Sequence, residues 1–278
     1  MYTKIVVPLD GSPLAEVALP YAEEIAAKMG ADMILFSVLS SEDNGDDHNH
    51  LSYIQKLVSD TRLQVEKYLK NPDRQSIKID TATRTGSPAE GILEYADKGY
   101  PCLIVMATHG RSGASRWAVG SVADKVVRAT ARQPVLLIRA KGAHPDVRTK
   151  RILKKTLVPL DGSSISEAVI PYISEIARNL QMEVKLLQVI PKTNHTYPVA
   201  ETYLQDWCRR LEGQGVTAEY EIRIGSAAEQ IIDCADEFAS DLVAMSTRGQ
   251  TAINLWSLGS VAQKVLLGGN SPLLLVKA

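Results

Sequence analysis

The chain is short of cysteine, of charge of one sign and of long apolar runs, and each shortage removes a class of explanation. Cys102, Cys208 and Cys234 are its three cysteines in 278 residues. An odd count without motif spacing is no disulfide framework, so the expectation is three buried, reduced thiols. The formal net charge is −1, and no overall field draws the chain to nucleic acid or to an acidic membrane. No apolar stretch approaches the roughly 18 residues that a membrane helix needs. The opening residues MYTKIVVPLDGS lack the charged leader and apolar core of a signal peptide. A cytoplasmic chain without nucleic-acid or membrane partners is the expectation. Two nucleotide signatures are also missing, since no G-x-x-x-x-G-K-[ST] occurs and GRSG at 110–113 is not G-x-G-x-x-G.

What the chain does have is an internal repeat. ATHGRSGASRWAVGSVADKV (107–126) returns as STRGQTAINLWSLGSVAQKV (246–265) at a shift of 139. KIVVPLDGSPLAEVALPYAEEIA (4–26) returns as KTLVPLDGSSISEAVIPYISEIA at a shift of 151, and QPVLLIRA as SPLLLVKA at 138. The fall from 151 to 139 puts an excess of 12 residues in the first copy between Val38 and Gly86. SSEDNGDDHNH is its expected main source. Copies of this size are domains rather than solenoid repeats. The division expected is one domain over 1–140, a basic linker over 141–151 and a second domain over 152–278. Arg139, Lys141, Arg148, Lys150, Arg151, Lys154 and Lys155 make that junction a solvated linker.

Each copy alternates strands with helices. Strands are predicted at Ile5–Leu9, Met33–Val38, Ile77–Thr83, Leu103–Ala107 and Val135–Arg139. One helix is predicted over Leu14–Met29 from its apolar stripe. Another is announced by Ser87, Pro88 and Glu90 as a capping box, which Ser226 and Glu229 repeat. Such alternation implies a parallel sheet with helices on both faces.

Ligands of open α/β sheets bind beyond the carboxyl ends of the strands, where the strand order reverses. Asp10 and Asp161 directly follow the first strand of each copy. The glycine segments follow the fourth. Gly110 and Gly249 allow close backbone approach. Gly120-Ser121 and Gly259-Ser260 stand at a helix N-terminus, which favours phosphate. The plainer alternatives are turn glycines, capping serines and, for Asp10, a turn residue in DGS. His109 and Arg248 share one position and offer either a basic group to a phosphate or a solvated loop charge. Arg111 of the first copy becomes Gln250. Trp117 and Trp256 are read as packing anchors. Asp43, Asp46, Asp47, His48 and His50 look like a metal cluster, but a mobile acidic loop is the preferred reading, and no metal site is expected.

VVPLDGS, then ATHG, nine residues, GSVADKVV and a closing PVLLIR resemble the universal stress protein family, and both halves carry the pattern. The resemblance implies two tandem five-stranded α/β domains, strand order 3-2-1-4-5, helices on both faces, paired through their last strands. Its ATP-binding members show G-x2-G-x9-G-[ST]. Here Gly110, Gly120 and Ser121, and Gly249, Gly259 and Ser260, supply the second and third glycines and the hydroxyl. Ala107 and Ser246 replace the first glycine. The resemblance further implies Asp10 and Asp161 on the ribose and the Pro8-Leu9 and Pro159-Leu160 backbone beside adenine. It also implies Val38 and Val189 lining the base. Met106, His109, Arg111, Val122, Met245, Arg248 and Val261 complete the implied set. The implied ligand is ATP with Mg²⁺ held by phosphate oxygens and water. The function expected is stress-response regulation through nucleotide occupancy, acting on conformation or on a protein partner that the sequence does not identify. No catalytic residues are expected. The alternatives are a nucleotide-free interaction scaffold and a slow ATP-hydrolysing enzyme. Assembly is expected as a pseudo-dimer within one chain, with a homodimer as the alternative.

Overall fold

The computed structural model describes residues 2–39, 47–69, 77–98, 101–110, 119–130, 132–139, 151–191, 197–248 and 258–278. It divides into two compact units, Met1–Ile152 and Leu153–Ala278. The first contains β1 (Lys4–Pro8), α1 (Pro13–Glu16), α2 (Leu19–Met29), β2 (Asp32–Leu39), α3 (Asp47–Tyr68), β3 (Ile79–Thr85), α4 (Pro88–Ala96), β4 (Cys102–Ala107), α5 (Ser121–Ala129) and β5 (Val135–Ile138). The second contains β6 (Lys155–Pro159), α6 (Ser164–Glu167), α7 (Ile170–Leu180), β7 (Glu183–Ile190), α8 (Tyr197–Glu212), β8 (Thr217–Ile224), α9 (Ala227–Glu237), β9 (Leu242–Ser246), α10 (Ser260–Gly268) and β10 (Leu273–Val276).

Within the first unit the strands lie β3-β2-β1-β4-β5, and within the second β8-β7-β6-β9-β10. Every pairing in these two runs is parallel. The expected order and the expected α/β class therefore hold in each unit. β1 and β6 are the central strands, and the order reverses beside them, at β4 and β9. Consecutive residues Ile5, Val6 and Val7, and Leu103, Ile104 and Val105, are all buried, as strands covered on both faces must be. In the first unit α2 packs on α3, and α4 on α5.

The structure corrects the sequence reading in four places. The helix expected over Leu14–Met29 is two helices, broken at Val17–Ala18. Pro20 explains the break, because its ring would collide with the carbonyl of residue 16 and it has no N–H to donate. Pro171 divides α6 from α7 in the same way. The third strand runs from Ile79 to Thr85, two residues later than expected.

Ser87 and Ser226 do occupy N-cap positions, but neither side chain makes a capping bond. Glu90 reaches instead towards α5, 3.7 Å from Lys125. With Pro88 at the start of α4 there is one orphan N–H fewer to satisfy.

The excess residues of the first copy also lie elsewhere. Tyr53 Oη donates to Glu16 Oε1 at 2.8 Å, and Tyr203 Oη donates to Glu167 Oε1 at 2.9 Å. These equivalent bonds align the copies at a shift of 150, so only one surplus residue precedes Tyr53 and eleven come after it. α3 accordingly has 22 residues against 16 in α8. Of the suspected metal cluster, Asp43 and Asp46 lie outside the described residues, and Asp47, His48 and His50 begin α3.

The three cysteines are buried and free of disulfides. Burial pushes the Cys102 thiol up to about 12 and those of Cys208 and Cys234 to about 11, which leaves them unreactive at neutral pH. No helix among the described residues is long and apolar enough to cross a membrane.

Candidate functional site

β1 ends at Pro8, and Leu9 continues its line by donating N–H to Phe36 O at 2.8 Å. The chain then turns at Gly11, whose φ of +82° suits glycine. Asp10 Oδ1 accepts from the Ser12 N–H at 3.0 Å and from the Ser12 hydroxyl at 2.6 Å. Ser12 Oγ in turn accepts from Ala15 N at 3.2 Å and caps α1. Asp10 is thus a turn residue, and it is also more than that. Its second oxygen, Oδ2, lies so close to the Gly110 Cα that a Cβ on Gly110 would run into it. The contact lies beyond the carboxyl ends of β1 and β4, which are paired in the sheet.

Beyond β4, the Thr108 N–H donates to Ile138 O at 2.8 Å, and Thr108 O accepts the Gly120 N–H at 2.8 Å. This second bond joins the two ends of the glycine segment. A Cβ on Gly120 would lie 2.8 Å from the same carbonyl oxygen, so the closure itself requires glycine. Gly120 is the N-cap of α5 and adds no capping side chain. The first-turn N–H groups consequently face the sheet edge with no N-cap side chain across them. Ser121 is exposed and Val122 half-buried. His109 Nδ1 is 3.0 Å from Thr108 Oγ1, and its Nε2 is buried without a hydrogen-bond partner. Met106 and Ala107 end β4, both buried. Val38 leans on α4, its Cγ2 3.1 Å from where a Cβ on Gly91 would stand. Arg111 and Trp117 lie outside the described residues.

The second unit repeats the plan. Leu160, after Pro159, donates N–H to Leu187 O at 2.8 Å. Asp161 Oδ1 accepts from Ser163 N at 3.0 Å and Ser163 Oγ at 2.6 Å, around Gly162 with φ +82°. Thr247 N–H donates to Val276 O at 2.7 Å, and Thr247 O accepts the Gly259 N–H at 2.8 Å. A Cβ on Gly259 would lie 2.9 Å from that oxygen. Gly259 caps α10, Ser260 is exposed and Val261 half-buried. Val189 pairs in register with Arg223 on β8. Met245 and Ser246 end β9, and Ser246 Oγ accepts the Arg248 N–H at 3.4 Å, a weak bond that Ala107 cannot make. Gly249 and Trp256 lie outside the described residues.

The sequence reading missed the carbonyls of Thr108 and Thr247, the hydroxyls of Ser12 and Ser163, and the tyrosine–glutamate bonds behind them. The signal was present, because each of these residues recurs in the second copy. Chemically, each edge offers an oriented carboxylate beside a helix N-terminus, a combination suited to hydroxyl groups and an anion in one ligand. Among the described residues, no three His, Cys, Asp or Glu side chains are grouped to hold a metal.

Fold and edge together define a duplicated doubly wound α/β protein with one candidate crevice per copy. The model of the Universal stress protein family matches residues 1–139 and again 153–277. The chain belongs to that family. A universal stress protein of Methanocaldococcus jannaschii is 32% identical over 142 residues, which cover 50% of this chain and 83% of that one. One from Synechocystis is 22% identical, covering 95% of this chain and 96% of its own. The crystal structure of a universal stress protein from Archaeoglobus fulgidus superposes with a TM-score of 0.70 at 19% identity, covering 99% of this chain and 96% of that chain.

Proposed function

We propose that each half binds an adenine nucleotide, ATP with Mg²⁺, and that the chain regulates through occupancy rather than turnover. Membership of the Universal stress protein family supports a role in the stress response. The observation that carries the reading is the pairing, in both copies, of a serine-oriented aspartate with a glycine-capped helix start at the carboxyl edge. In this reading the first-turn N–H groups of α5 and α10 receive phosphate oxygens, and the Ser121 and Ser260 hydroxyls add donors. Asp10 and Asp161 accept from the ribose hydroxyls. Pro8, Leu9 and Val38, and Pro159, Leu160 and Val189, border the base. His109 and Arg248 present nitrogen donors beside the phosphates.

Phosphate oxygens and water would hold the magnesium ion, whose bound form supplies charge neutralisation. This chain's own residues bind and orient. Described residues aimed at the phosphates include no paired base and nucleophile, so acceleration would rest on electrostatic stabilisation alone.

Mass spectrometry of the purified chain after denaturation tests the reading. Co-purified ATP supports it, product nucleotide points to turnover, and an empty chain points to a scaffold. Calorimetric titration with MgATP is expected to reach two ATP per chain. A value of one would confine the proposal to one half.

A further inference from the structure

The two crevices differ in how the aspartate loop is held. In the second unit, Glu167 Oε1 accepts from both Tyr203 Oη at 2.9 Å and Trp207 Nε1 at 3.2 Å. Arg210 lies over the Trp207 ring, 4.9 Å from its centroid. α6, which ends in Glu167, has only four residues, too few to be stable alone. This pair of bonds ties it to the 16-residue α8, beside its packing on β9. From α6 the bonding continues to the site. Asp161 N–H donates to Ser166 Oγ at 3.3 Å, and Ser166 Oγ donates to Ser163 O at 2.8 Å. Ser166 N–H donates to Ser163 Oγ at 3.1 Å, and that hydroxyl donates to Asp161 Oδ1. Asp161 is therefore gripped through its backbone and its carboxylate.

The first unit keeps less of this. Ala15 stands in the place of Ser166 and cannot accept the Asp10 N–H, while Leu57 stands in the place of Trp207. This unit keeps the Tyr53 bond to Glu16, the Ser12 bonds to the Asp10 carboxylate and the Ala15 N–H bond to Ser12 Oγ.

Resting on the nucleotide reading, we propose that Tyr203, Glu167 and Trp207 form a clamp that positions Asp161 and makes the second half the tighter sugar-binding site. An acceptor already fixed in place loses less conformational freedom when a ligand hydroxyl arrives. Burial, then the hydrogen bond and charge of Glu167, push the Tyr203 phenol well up, and the Asp161 charge adds to this. The phenol therefore stays a donor across the physiological range.

The test uses the full chain carrying Gly110→Ala, which drives a methyl into the Asp10 carboxylate and silences the first half. Its probes are MgATP and Mg-2′,3′-dideoxyATP, the latter lacking the hydroxyls that Asp161 would accept from. Tyr203→Phe and Trp207→Phe are each expected to weaken ATP about fivefold, the effect of one hydrogen bond, and to leave dideoxyATP unchanged. Glu167→Gln keeps an acceptor oxygen for both donors and is expected to retain most of the ATP affinity. Equal losses for the two nucleotides would reduce the clamp to general packing and overturn the proposal. So would equal affinity of the parent chain for both. A parent chain that binds neither nucleotide would overturn the nucleotide reading itself.

Discussion

A side chain at Gly120 would meet the Thr108 carbonyl oxygen at 2.8 Å, and one at Gly259 would meet the Thr247 oxygen at 2.9 Å. Both neighbours are backbone atoms in hydrogen bonds, so neither can step aside cheaply. Gly120→Ala and Gly259→Ala are each expected to cost about 1–3 kcal/mol of stability, seen as a lowered melting temperature by calorimetry. Unchanged melting in both would show that the segment relaxes around a methyl group. At Gly110 the obstacle is the tip of a side chain, Asp10, which can rotate away. Gly110→Ala is therefore expected to keep the melting temperature and to reduce MgATP stoichiometry from two to one. The spacing of these glycines was visible in the chain, and the helical spacing of Val122, Val126 and Ala129 placed Gly120 at a helix start. Their contacts could not be read. A carbonyl across a closed loop and a carboxylate from another strand exist only once the fold has formed.

At the scale of elements, β8 shows how an outer strand of a unit is secured. Lys185 on β7 lies 3.1 Å from Glu219 and 3.2 Å from Glu221 of β8. Arg223 bridges Glu221 and Glu237, while Lys155 and Lys185 sit over the Phe238 ring at 4.8 and 4.5 Å. Charged side chains also discourage strand-to-strand association at such an edge. Burial alone would raise the Glu221 carboxyl, but hydrogen bonds from Arg223 and Lys185 outweigh it and hold the group below the usual range. A carboxylate so depressed contributes stability that is complete above about pH 4.5 and is lost as pH falls through its folded value. Glu221→Gln should flatten the fall of melting temperature in acid below that pH and change its slope little near neutrality. An acid limb as steep as the parent's would show that the network carries no such linkage. Helix boundaries were harder to read than strands. An apolar stripe runs unbroken through Val17 and Ala18, and only the clash behind Pro20 divides it.

For the molecule as a whole, the parallel α/β class and the two-copy organisation could be read because the alternation and the repeat are both strong. The strand order came only from the resemblance to the universal stress protein family. The location of the extra residues could not be read, since a sequence shift is known only where copies match. Tyr53 and Tyr203 restore the match through what they bond to. The two crevices are expected to differ in affinity, as His109 against Arg248 and Leu57 against Trp207 require. MgATP titration of the unmodified chain should resolve two classes of site. A single class at a stoichiometry of two would show that these differences are energetically silent.

The shared tyrosine–glutamate bond also carries a date. Both copies hold it between equivalent residues, 37 apart in the first and 36 in the second, as a bond inherited from one duplicated half-length ancestor would be. Trp207 and Ser166 have no counterparts in the first copy, and they mark positions where the halves have changed since they parted. Two paralogous domains in one chain thus record their own history: common bonds are inheritance, and unshared ones are divergence.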